Sequence, residues 1–200
     1  MSFLPAMQRR RLGLLARMAF AVGWPLAEGH EALPLVFVSR HGETPRTFSI
    51  LSELAARQPL SPTQFSLSVH NAVIGLWSIL RGSTCEMTAL AAAGDGFEHG
   101  LVEAAALLNE GAPAVLLIVT EELPPEAYRP WISDVPFSYA LAVLVTPGKQ
   151  WQLSLVQTPV PAQGDSERPH ALDWLRASLN GTPTFTHSWK RRTWNWQRQP

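Results

Sequence analysis

Asn71-Ala72-Val73-Ile74-Gly75-Leu76-Trp77-Ser78-Ile79-Leu80-Arg81-Gly82 is the stretch on which the reading of the fold turns. It predicts an apolar helix over Asn71 to Leu80, ended by Gly82. A strand follows over Thr84 to Leu90, then a helix over Asp95 to Glu110. In that helix Phe97, Leu101, Ala104, Ala105 and Leu108 share one face, and Gly111 closes its end. Ala114 to Val119 is a continuous apolar run, the pattern of a strand buried on both faces of a parallel sheet.

Upstream, Leu35-Val36-Phe37-Val38 is a second short apolar run, between Pro34 and Gly42. Pro5 to Val22 has helical spacing with arginines on its outer face, and Gly23-Trp24-Pro25 ends it. Thr47 to Arg57 reads as a helix, and Ser61-Pro62 as a turn. Downstream, Glu121 to Pro136 is a Pro-rich loop. Tyr139 to Val145 and Trp151 to Val156 read as a hairpin around Pro147-Gly148. Pro159 to Arg168 reads as a linker, Ala171 to Leu179 as a short helix, and the remainder as an irregular tail rich in Trp and Arg. Alternating strands and helices place the chain in the α/β class.

Composition fits a globular domain: 200 residues, 46% hydrophobic, with 16 basic and 16 acidic side chains. The charge is uneven. Arg9, Arg10, Arg11 and Arg17 precede every acidic residue, and Lys190, Arg191, Arg192 and Arg198 follow every one. Such ends read as solvated basic faces, and the rest of the chain is too acidic for nucleic acid. Cys85 is the one cysteine, so no internal disulfide can form, and a reducing, cytoplasmic setting is expected. Its bland role is a small apolar filler. Leu12 to Trp24 is broken by Arg17 and has no small-residue cleavage site, so no signal peptide is expected, and no apolar run is long enough to span a bilayer.

Leu60-Ser61-Pro62, Ser68-Val69-His70 and the run from Asn71 to Gly82 together resemble the N-terminal half of the β-ketoacyl synthases. The likeness lies in the pattern of an Asn, a Gly, Ser-Ile and a closing Gly, and it continues without a gap to Val119. The resemblance implies half of a thiolase-like fold: a five-stranded mixed sheet with helices on both faces. It assigns residues 1–158 to the synthase-like domain and residues 159–200 to linker, short helix and tail. In this register the family's nucleophilic cysteine falls on Gly94. That position joins a strand to a helix whose N-terminus would stabilise a thiolate, and glycine offers no nucleophile. Asp95 beside it suits the same helix dipole. The family's remaining catalytic groups belong to a C-terminal half with no counterpart in these 200 residues.

The resemblance therefore implies a chain without catalytic activity, like the cysteine-less chain-length factors of aryl polyene or fatty-acid-like pathways. It would support a partner ketosynthase and meet an acyl carrier protein, as a homo- or heterodimer, with no metal and no cofactor. A half-fold must also cover the apolar face of the Asp95–Glu110 helix with its own tail indoles, a second copy or another protein. Two other readings stay open. Ser39-Arg40-His41-Gly42-Glu43-Thr44 resembles the histidine phosphatase signature, with His41 as phosphoryl acceptor and Arg40 as its anion clamp, although that chemistry needs a second His and a second Arg. The other is a scaffold whose acyl site is filled. The tail's alternation of Trp and Arg from Trp189 to Arg198 would suit an acidic carrier protein or, more plainly, packing on the domain.

Overall fold

The computed structural model describes residues 3–159 and 168–199. Four strands make the main sheet: β1 (Leu35–Val38), β2 (Met87–Leu90), β3 (Val115–Glu121) and β4 (Tyr139–Val145), in the order β2-β1-β3-β4. β1 runs parallel to both β2 and β3, while β4 is antiparallel to β3. Every residue of β1 and β3 is buried. This is why the sequence shows no polar alternation there: both faces of the central strands are covered.

One face carries Leu35, Phe37, Leu116 and Ile118, packed under α2 (Leu14–Leu26) and α5 (Ala72–Arg81) through Leu15, Phe20, Val73 and Trp77. The other carries Val36, Val38, Val115, Leu117 and Val119. These pack against α6 (Gly96–Asn109), with Trp196 and Ala171 beyond it. Helix α6 approaches the sheet closely enough that a Cβ on Gly100 would stand 2.7 Å from Leu117 Cδ1 and Val38 Cγ2. The buried face of α6 is Phe97, Gly100, Ala104 and Leu107, with Glu98 beside them, whereas Ala105 is exposed. The expected face is thus rotated, because the helix is covered from two sides.

The structure corrects the expected five-stranded sheet. β5 (Trp151–Gln157) does not continue from β4 as a hairpin. It pairs antiparallel with β7 (Arg192–Arg198), which pairs with β6 (Thr184–Trp189), forming a separate three-stranded sheet β5-β7-β6. The cause is amphipathicity. Along β5, Trp151, Leu153 and Leu155 alternate with Gln152 and Ser154, so the strand needs one apolar neighbour and one wet face. The central sheet offers burial on both faces. The β7 indoles Trp194 and Trp196 supply the partner, opposite Leu155 and Leu153. The tail expected to be irregular is therefore a hairpin, turning at Lys190-Arg191.

The apolar face of α6 is covered from within this chain. Phe97 stacks on Trp196 with ring centroids 5.8 Å apart and lies 5.3 Å from Trp174 of α7 (His170–Leu179). The N-terminal helix also differs from expectation. α1 (Ala6–Arg11) stops at an extended Leu12, and α2 starts again at Leu14 and runs past Pro25. The break lets the Glu122 carboxylate accept the Leu15 amide (3.2 Å), one of the donors a helix start leaves free. α3 (Thr44–Ala55) begins three residues earlier than expected, and Ser61-Pro62 opens a short helix, α4 (Pro62–Ser66), with Ser61 as its cap. The linker expected over Pro159 to Arg168 lies, apart from its ends, outside the described residues. Among the described residues no helix is long and apolar enough to cross a membrane.

Candidate functional site

Gly94 lies where the chain leaves β2 and enters α6, the strand-to-helix turn expected from the sequence. The space in front of it is taken. A Cβ added at Gly94 would overlap Cε3, Cζ3 and Cδ2 of Trp189, the last at 2.7 Å. Trp189 ends β6 and is 8% exposed. The Arg40 guanidinium sits over its indole, 5.7 Å from the ring centroid. The remaining cavity, bordered by Gly94, Arg40, Glu121, Asp134, Tyr139 and His170, holds about 30 Å3, room for a water molecule but not for an acyl chain.

Two carboxylates of α6 hold the hairpin and α7 in place. Asp95, fully buried, accepts two hydrogen bonds from Arg192 (2.6 and 2.8 Å) and one from Trp194 Nε1 (2.9 Å), with His99 Nε2 at 3.4 Å. Burial alone would raise its pKa, but the Arg192 and Trp194 hydrogen bonds and the Arg192 charge bring it below the ordinary value. Glu98, also fully buried, lies 2.6 Å from His187 Nδ1 and 3.3 Å from His170 Nδ1. Burial is again opposed, here by both imidazoles, and the carboxyl falls to about 2.

The turn after β1 carries the arginine and histidine of the phosphatase reading. The structure gives both of them carboxylate partners. Arg40 Nη1 meets Asp134 Oδ2 at 2.6 Å and His41 Nε2 meets Asp134 Oδ1 at 3.2 Å. Glu121, at the end of β3, accepts the Arg40 amide, the His41 amide (3.3 Å) and the Ser39 hydroxyl (3.1 Å). The amides that could have cradled a phosphate are filled by an internal carboxylate, and Asp134 would repel a phosphoryl group. His70 binds the Ser39 carbonyl (2.6 Å). Burial raises the Glu121 pKa, partly offset by these amides. Burial also acts on Asp134, but the His41 and Arg40 hydrogen bonds prevail and take it to about 2.

These shifts fix a pH dependence. Asp134 and Glu98 have folded-state pKa values below their ordinary 3.8 and 4.5. They therefore contribute stability that is complete above the ordinary value and is lost as pH falls toward about 2. Glu121, raised, acts in the opposite sense. We expect the urea midpoint to fall between about pH 4.5 and 2, and Asp134→Asn to flatten that slope. An unchanged slope in the variant would remove Asp134 from the account.

Sequence reasoning singled out Gly94 for the synthase reading and Arg40 and His41 for the separate phosphatase reading, and the structure sets Gly94 and Arg40 on one small cavity. Sequence reasoning missed Asp95's role as an anchor and the roles of Glu98, Glu121, Asp134, His170 and His187, and it had Trp189 only as a tail indole able to pack on the domain. A usable signal for part of this was the alternation Phe185, His187, Trp189, which sets all three on one strand face.

The chain matches the family described as beta-ketoacyl synthase, N-terminal domain, over residues 1–197. It is similar to a solved structure, the ketosynthase ApeO in complex with its chain length factor ApeC from Xenorhabdus doucetiae. The identity is 31% and the TM-score 0.88, covering 98% of this chain and 82% of that one. The ishigamide ketosynthase/chain length factor shares the fold at 14% identity and TM-score 0.65, over 79% of this chain and 52% of that one. Comparison with curated proteins finds no match.

Proposed function

The chain belongs to the β-ketoacyl synthase family, in its N-terminal domain, and from that membership we propose that it is a non-catalytic, chain-length-factor-like subunit working beside a partner ketosynthase on carrier-protein-bound acyl or polyene chains. The observation that carries this reading is Trp189 lying against Gly94. A condensing enzyme needs a thiolate at the start of this helix and free space in front of it for the acyl group. Here the position has no side chain and an indole fills the space.

What such a chain offers a partner is surface. The tail indoles already cover α6, so partner binding does not depend on that face. Ile79 of α5 and Trp131 in the loop after β3 remain 77% and 78% exposed. The solved ketosynthase and chain length factor complex supports the choice of partner.

The test is co-expression with each ketosynthase of the native host, followed by affinity capture and an elongation assay with malonyl and acyl carrier proteins. We expect equimolar co-purification, no elongation by this chain alone, and product whose length changes when this chain is omitted. Elongation by the purified chain, or a ketosynthase that works identically without it, would overturn the proposal.

A further inference from the structure

Glu98, His170 and His187 come from α6, the first residue of α7, and β6, three elements remote in sequence. Their side chains are 0%, 4% and 7% exposed. Each imidazole directs Nδ1 at a different oxygen of the one carboxylate, and the rings stack with centroids 4.2 Å apart. One potential ligand atom from each residue lies within 4.8 Å of the others.

The surroundings favour a cation. The Tyr139 phenol is pushed up by burial and then by the charges of Glu121, Asp134 and Glu98, so three carboxylates act on one small region. Arg40 is the permanent cation on the cavity wall, and Asp134 already engages it. The cavity borders His170 and has room for a water as a further ligand. We propose that Glu98, His170 and His187 form a buried site for a divalent transition metal ion, zinc by donor chemistry, which ties α7 and the β6–β7 hairpin to α6. One carboxylate and two imidazoles are ligands zinc takes readily, at bond lengths of about 2.0–2.2 Å, with water as the fourth. Binding replaces the hydrogen bonds to Glu98.

The test uses the tag-free full chain, stripped with a chelator and titrated with Co2+ as an optical probe. We expect a visible absorption band that saturates at one equivalent and is abolished by one equivalent of Zn2+. Affinity should drop at least about tenfold in His187→Gln and in Glu98→Gln. The exposed His30→Gln should behave as the parent, and circular dichroism checks that each variant folds. Zinc at a hundredfold excess over Kd should raise the thermal midpoint of the parent by about 5–10 °C. If neither variant folds, this shift together with a one-to-one zinc content by elemental analysis decides the matter. No saturable band and no thermal shift would show a hydrogen-bonded triad only. Equal affinity in parent and folded variants would place the ion elsewhere. Either result overturns the proposal.

Discussion

Placing a cysteine at position 94 destabilises the folded chain by about 3 kcal/mol, and that loss is less than additive with the loss from trimming Trp189 in the same molecule. A Cβ at residue 94 overlaps three ring carbons of Trp189, and a sulfur would reach further. Close-packed interiors accommodate extra atoms only by moving neighbours. Trp189 is boxed in by Arg40 on one side and by the strand it ends on the other. Trp189→Ala alone opens a cavity and costs about 3–5 kcal/mol. In the double variant, side chain and cavity partly compensate. The combined cost should fall short of the sum of the single costs by about 1–3 kcal/mol. Urea denaturation of the four proteins measures this directly. Additivity within about 0.5 kcal/mol would mean that the indole does not occupy the space before Gly94.

Asp95→Ala is expected to cost about 3–5 kcal/mol, the range for removing one member of a buried ion pair. Asp95 bonds both the Arg192 guanidinium and the Trp194 indole nitrogen, the one group to do so among the described residues. Without it, the buried indole N–H loses its acceptor and the guanidinium its counter-charge. Arg192 is about one-third exposed, so water recovers part of the loss and the lower end of the range is the better guide. Asp95→Asn keeps the shape and one acceptor, so it should fall between parent and alanine variant. Near-ultraviolet circular dichroism should show the indoles loosening before the helices do. A loss below about 1 kcal/mol would mean that the hairpin is held by its apolar contacts alone.

Much of the central layer was legible in the sequence. Val115 to Val119 and Leu35 to Val38 are apolar without alternation because helices cover both faces, and that pattern survives in a linear reading. The position of Gly94 followed from an ungapped register through Asn71 and Gly82. What occupies that position did not follow, because Trp189 is 95 residues away and arrives only when β6 pairs with β7 and β7 with β5. Tyr139 to Val145 and Trp151 to Val156 read as a local hairpin. Choosing between a near and a distant partner requires knowing where one wet face is available. Glu98 was hidden differently. Between Phe97 and His99 it looks like a surface carboxylate of an amphipathic helix, and only the two imidazoles from distant elements make its burial tolerable.

The close packing of Trp189 on Gly94 also has a historical side. A lineage that carries this pair cannot place a cysteine here by a single substitution without a loss of stability. The cysteine without the smaller neighbour is overcrowded, and the smaller neighbour without the cysteine is hollow. Each single change leaves the chain less stable than it is now. The pair thus acts as a ratchet, making the absence of a nucleophile at this position hard for selection to reverse.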